Sequence, residues 1–349
     1  MNAVFSELSA RRNDDLSAAI EEAAERCRES GSVGDLIRLR DLRLKAGAEL
    51  AALPDTSWDN EPEEPVEDLF PDVRDGIPEV DLRELGSASL RSAMCHHGAL
   101  IVRNMLSLRQ AHEYRVAIDR VIEAAKAYQK TLEEDAEDVR PTAMKADYLP
   151  FRDSESGVKR RNHSFVASSG SIETLLSPSF SLSLFDSFER LGLRRLLQDY
   201  FRDEPCVSFQ KCVLRRAEPL KAPAEWHQDG AFMDRDIKSL NLWIALSECG
   251  GGTDSPGMDL VPRRLDEVLE PGTNGAIFNW SISGATVVER FPGLEPARPF
   301  FGPGDAIFFD HLNLHATSSD AAFTQPRYAI ENWFFAKGRA ATNQFPAVW

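Results

Sequence analysis

SLNLWIALSECGGGTDSPGMDLVP, residues 239–262, reads as two short strands joined by a glycine-rich turn. Within it Leu240, Leu242, Ile244 and Leu246 alternate with Asn241, Trp243 and Ala245, the period of two that sends successive side chains to opposite faces of a sheet. Trp243 therefore shares its face with a polar Asn. The same texture extends on both sides. CVSFQKCVL (206–214), GATVVER (284–290), DAIFFD (305–310) and RYAIENWFF (327–335) are further strand candidates, set apart by Gly, Pro and Asp clusters that favour turns. Upstream the pattern is helical. Residues 14–29 read as one helix, and 35–50 as a second with Leu36, Leu39, Leu42, Ala46 and Leu50 at spacings of three and four. ALIVRN (99–104) is strand-like, 106–130 is a long amphipathic helix, and another helix covers about 182–201. Helices first and many strands afterwards predict an α+β fold built on a sandwich or barrel.

The chain has 349 residues and a formal charge of −16, which repels phosphate backbones and anionic membrane surfaces. Neither nucleic acid nor a membrane is expected as a partner. Five cysteines, with no C-x-x-C pair, point to neither a disulfide framework nor a cysteine zinc site. No basic-then-apolar leader opens the sequence and no run of about 18 apolar residues interrupts it, so a cytoplasmic protein is expected. Three regions are expected: a helical extension over 1–53, an acidic linker with several prolines over 54–78, and one domain over 79–349.

Chemistry concentrates in two segments. In EWHQDGAF (225–232), His227 and Asp229 are two apart, so on an extended chain an imidazole and a carboxylate point the same way and can meet one metal ion. In GDAIFFDHLNLHATSSD (304–320) a Gly-Asp turn launches an apolar strand that leads to His311 and His315. A histidine from there would complete a two-histidine, one-carboxylate set that leaves adjacent coordination positions open. Arg327 begins the next strand, where a guanidinium can grip the far carboxylate of a dicarboxylic acid. His96, His97, His112 and His163 have no neighbour at ligand spacing and receive no role.

Taken in order, WHQDG (226–230), LNLWIALSE (240–248), GGGTDSPGMDLVP (250–262), GDAIFF (304–309), LHATS (314–318) and PRYAI (326–330) resemble the phytanoyl-CoA dioxygenase-like family of Fe(II)/2-oxoglutarate oxygenases. The resemblance spans about residues 79–337. It implies a double-stranded β-helix, the cupin-like jelly roll, with flanking helices and the N-terminal helical extension outside it. It also implies Fe(II) held by His227, Asp229 and His315, the last chosen over His311 because the family's distal ligand falls ten residues after the Asp of the Gly-Asp turn. By the same resemblance Arg327 anchors the C5 carboxylate of 2-oxoglutarate, Thr317 bonds that co-substrate, Trp243 lies near it, and Gln210 lines the site from a strand. The resemblance further implies O2 as the oxidant and release of succinate and CO2 as an unactivated C–H is hydroxylated or otherwise oxidised, with desaturation, ring formation and epimerisation left open. Asp229 fills the position that related halogenases leave open for chloride.

The chain departs from the family in reading VPRRL (261–265) where relatives read V-P-G-S-H, and RRAEPLKAPA (215–224) where relatives carry Lys-Pro-Pro-Gly. Substrate contacts therefore do not transfer. A small natural-product or amino-acid-like substrate is favoured, with acyl-CoA possible if the basic runs Lys159–Arg161 and Arg215–Arg216 surround one cavity. The sequence sets no oligomeric state. Two rival readings stand beside the oxygenase: a Zn(II)- or Mn(II)-dependent hydrolase or isomerase using the same ligands, and a jelly-roll binding protein without catalysis.

Overall fold

A computed structural model describes residues 2–51, 65–134, 136–150, 170–219 and 225–349. Its centre is strand β12 (Arg327–Ala336), ten residues buried throughout, as its near-continuous apolar sequence requires. On one side β12 pairs antiparallel with β6 (Ser239–Ala245). β6 in turn pairs with β10 (Ala306–Phe309), and β10 with β2 (Ala99–Arg103). β1 (Glu79–Asp81) runs parallel to β2 at the edge. On the other side β12 meets β5 (Val213–Ala217) near its start and β4 (Pro205–Ser208) near its end, while β3 (Ser171–Glu173) and β13 (Pro346–Ala347) extend those two.

Both faces of this large sheet are covered. The aliphatic face of β6, with Leu240, Leu242 and Ile244, joins Phe308, Ile330 and Phe334 in a core closed by helices α4 (Leu108–Glu133), α6 (Pro178–Arg190) and α7 (Leu193–Phe201). The opposite face carries Trp243, Ala245, Ile307, Phe309, Ala329 and Trp333, which pack against Met258 and Leu260 of β8 (Met258–Leu260). β8 pairs with β11 (His315–Thr317), and single bridges Trp226–Ile282, His227–His315 and Leu260–Ala297 widen this into a second, smaller sheet. Two sheets enclosing one apolar layer make the jelly roll of an α+β fold.

Helices α1 (Asn2–Ser30) and α2 (Val33–Ala51) form a hairpin in which Ile20, Ala23 and Cys27 bury against Leu36, Leu39 and Ala46, with Leu182 of α6 and Val348 alongside. α2 approaches β13 so closely that a Cβ on Gly47 would lie 2.1 Å from the Pro346 carbonyl oxygen. The described part of the acidic linker, 65–78, lies along α3 (Ser87–His96), with the Leu69 N–H donating to Ser92 Oγ and His96 Nε2 bonding the Val66 carbonyl. Residues 54–64 lie outside the described residues, as do Lys159–Arg161 and His163. Arg215 and Arg216 do not converge on one anion. They alternate on β5, so Arg215 pairs with Glu331 at 2.6 Å while Arg216 reaches Asp119 at 3.5 Å.

Three expectations for local structure are corrected. GATVVER is a helix, α8 (Gly284–Arg290), not a strand. Ser283 caps it by accepting from the Thr286 N–H, and Val287 is buried in a cluster with Val261, Leu265, Ile282 and Leu314, against which Phe291 and Leu294, just past the helix, also pack. The expected helix over 182–201 is two helices, broken where Gly192 takes φ +68°. CVSFQKCVL is two strands, because β4 and β5 follow one another along β12 and residues 209–212 loop out between them. None of the five cysteines is in a disulfide, and among the described residues no helix is long and apolar enough to cross a membrane.

Candidate metal centre

Backbone pairing creates the site. The His227 N–H donates to the His315 carbonyl at 2.9 Å and the His315 N–H returns to the His227 carbonyl at 3.0 Å. Such a rung puts the two side chains side by side on one face, and the ring centroids are 4.4 Å apart. Gln228 then sends its side chain the other way, donating to the Glu267 and Leu312 carbonyls and accepting from the Leu269 N–H. This buried clamp fixes the chain just where a short 3-10 turn, Asp229–Ala231, begins. Gly230 is tightly enclosed: a Cβ there would lie 2.7 Å from Val268 and 3.0 Å from the His311 ring.

Asp229 Oδ2 comes to 3.5 Å from His315 Nε2, and one ligand atom from each of His227, Asp229 and His315 lies within 4.8 Å of the others. Each imidazole is tethered through Nδ1, His227 to the Glu225 carbonyl at 3.3 Å and His315 to the Asn313 carbonyl at 3.1 Å. An N–H on Nδ1 leaves the Nε2 lone pair for a metal. Burial, aided by the neighbouring His315, pushes the His227 pKa down to about 4 against the pull of Asp229, so this ring is neutral near pH 7. Burial opposes ionisation of Asp229, but Lys211 and the two histidines outweigh it and hold the carboxyl below its ordinary value. Two imidazole nitrogens and one carboxylate oxygen suit a divalent first-row cation.

Arg327 sits at the start of β12, 3% exposed. Its Nη1 donates to the Gly257 carbonyl at 2.8 Å, its guanidinium carbon lies 5.4 Å from the centre of a Trp243 ring, and its Nε has no partner. It forms no ion pair with a carboxylate among the described residues, and burial drives its pKa down to about 10. The same Gly257 carbonyl accepts from the Ser318 N–H, which ties Arg327 to the end of β11. Thr317, two residues past His315, shares that histidine's face of the strand and is half-buried. Trp243 is buried edge-on against Phe301.

His311 is not among the three grouped ligands. It lies beneath the turn, where its carbonyl accepts from the Gly230 N–H and its Nδ1 bonds Ser239 Oγ at 2.9 Å. Gln210, expected on a strand facing the site, instead lies in the 209–212 turn and accepts from the Phe345 N–H at 2.8 Å. The departure VPRRL places Arg264 against Asp310 and Arg263 against Asp75. The Gly-Asp turn has a steric reason: Gly304 takes φ +98° and passes Leu106, and Asp305 accepts from Arg103 and from the Asn104 and Gly302 N–H groups.

Sequence reasoning passed over several residues at the site. Lys211 Nζ donates to Asp229 Oδ1 at 3.1 Å and lies 4.1 Å from the centre of the Phe232 ring. Trp280 stands edge-on to His227 at 5.6 Å, with Phe278 stacked parallel behind it. Only the loop's aromatic content (FNW, 278–280) hinted at the second group.

No family model matches the chain, and no curated protein does. Among solved structures it is similar to EctD from S. alaskensis, described with 2-oxoglutarate and 5-hydroxyectoine, at 17% identity over 72% of this chain and 78% of that one, with a TM-score of 0.44. It is similar to EvdO2 from Micromonospora carbonacea var. aurantiaca, described in complex with 2-oxoglutarate, at 17% identity over 75% and 94%, TM-score 0.44. A third is the non-heme alpha-ketoglutarate-dependent carbocyclase SnoK from nogalamycin biosynthesis, at 13% identity over 75% and 88%, TM-score 0.46.

Proposed function

We propose that the protein is an Fe(II)- and 2-oxoglutarate-dependent oxygenase that hydroxylates an unactivated C–H of a small molecule, releasing succinate and CO2. The observation that carries this reading is Arg327. A buried guanidinium without a carboxylate partner is costly, and a dianionic co-substrate supplies what is missing. A hydrolytic or isomerising metal enzyme would have no such co-substrate for Arg327 to hold.

His227, Asp229 and His315 fit a ferrous ion, as two imidazole nitrogen donors and one carboxylate oxygen donor with no fourth protein ligand grouped with them among the described residues. When bound, the metal supplies the oxidising chemistry with O2. The chain's own work is to hold and exclude. Arg327 fixes the distal carboxylate and Thr317 bonds it, Trp243 packs beside the Arg327 guanidinium, and Phe309, 4.7 Å from the His315 ring, keeps water from that flank. The substrate is a natural-product or amino-acid-like molecule, and the protein acts in the cytoplasm.

Anaerobic titration tests the proposal. Fe(II) and 2-oxoglutarate together should give a weak visible metal-to-ligand charge-transfer band, and Arg327→Ala should remove it at co-substrate levels that saturate the unmodified protein. Fe(II) binding with no band at any co-substrate concentration would refute it.

A further inference from the structure

The turn between β4 and β5 carries Lys211 into the site and is held from both sides. The Lys211 N–H donates to Ser208 Oγ at 3.1 Å, Ser208 Oγ donates to Gln344, and Gln210 accepts from the Phe345 N–H. Lys211 Nζ is fixed in turn, bonded to Asp229 Oδ1 at 3.1 Å and seated on the Phe232 ring. The two oxygens of Asp229 thus have separate surroundings. Oδ1 is taken by the ammonium, and Oδ2 faces His315 Nε2.

We propose that Lys211 is a positioning residue for the metal site, engaging Oδ1 of Asp229 so that the carboxylate offers only Oδ2 to the cation held with His227 and His315. This rests on the metal reading above and adds to it. A carboxylate with both oxygens free can clasp a cation through both and fill one more position around it. A chelating co-substrate together with O2 needs three positions, so with three protein ligands none can be spared. The charge of Lys211 strengthens the inference. An ammonium bonded to a metal ligand repels the incoming cation, so a residue selected for metal affinity alone would not be a lysine. Selection for a single offered oxygen accounts for it, and Gln210 and Ser208 gain a purpose in bracing the turn.

The test uses the full chain under anaerobic conditions, with Fe(II) as one probe and nitric oxide, read by electron paramagnetic resonance, as a stand-in for O2. Lys211→Met keeps the stem packed on Phe232 but removes charge and donor. It should bind Fe(II) roughly tenfold more tightly and, with 2-oxoglutarate present, take up less than about half of the nitric oxide bound by the unmodified protein. Lys211→Arg should restore both values. Lys211→Gln, a neutral donor that also serves if the Met variant fails to fold, should bind Fe(II) more tightly while keeping nitric oxide uptake. A folded Met variant with unchanged or weaker Fe(II) affinity and undiminished uptake would overturn the proposal and leave Lys211 as an ordinary structural ion pair. An unmodified protein that binds no Fe(II) would instead overturn the metal reading beneath it.

Discussion

Replacing Arg327 with Met should move stability and co-substrate binding in opposite directions. The side chain is 3% exposed and its pKa is pushed down to about 10 by burial, so at about 1.4 kcal/mol per pH unit its charged form costs the folded protein on the order of 3 kcal/mol. The sign is that of a base with a lowered pKa: the penalty is full below the folded value and fades as pH rises through it. Against this stand one bond to the Gly257 carbonyl, worth about 1 kcal/mol, and the contact with Trp243, worth about 1 kcal/mol more. Methionine fills most of the volume, so the protein without co-substrate should gain about 1 kcal/mol, a rise of roughly 2 °C in Tm. Binding of 2-oxoglutarate should weaken sharply. Truncating one side of a buried charge pair costs about 2–5 kcal/mol, which is roughly thirtyfold to several thousandfold in Kd. Fe(II) affinity should hold, because Arg327 is not among the grouped ligands. Differential scanning calorimetry and anaerobic titration of the charge-transfer band read the two effects. A Met variant destabilised by several kcal/mol would show that Arg327 is already compensated, and unchanged co-substrate affinity would refute its anchoring role.

His315→Ala should abolish stoichiometric Fe(II) binding in equilibrium dialysis, whereas His311→Ala should keep it and lose about 1–2 kcal/mol of stability through the orphaned Ser239 hydroxyl; the reverse pattern would reassign the ligand. The lowered His227 pKa means the folded state resists protonation, so apo stability should fall as pH drops from about 6.5 toward about 4. Urea midpoints across that window should fall less steeply for His227→Gln than for the unmodified protein, and identical slopes would exclude this residue as the cause. Gly304→Ala should cost at least about 2 kcal/mol, since it demands φ +98° of an alanine whose Cβ would meet the Leu106 carbonyl oxygen at 2.2 Å; a thermal melt within a degree of the unmodified protein would contradict the geometry.

Much of the fold was legible because a roll buries both faces of its strands, and SLNLWIALS and RYAIENWFF announce that in composition and alternation. What failed was local. The β-branched run in GATVVER favours a strand on propensity, but the cap at Ser283 and the cluster of Val261, Leu265, Ile282 and Leu314 that buries Val287 lie outside the heptamer. The loop-out at 209–212 depends on β4 and β5 sharing one partner strand, which no window of sequence contains. At the candidate site, residues close together in sequence were readable, as with His227 and Asp229. Lys211 was not, because its link to Asp229 depends on a turn whose bracing comes from the C-terminal segment.

The shared rung between His227 and His315 joins stretches of chain that meet only when the roll has closed. A cation gripped by both therefore works as a clasp, since it selects the closed chain over any conformer in which the smaller sheet has peeled away. By mass action, saturation at a hundred times Kd adds about 2.7 kcal/mol to that closure. If the bound cation is the proposed iron, its supply would govern how long the protein survives as well as any activity.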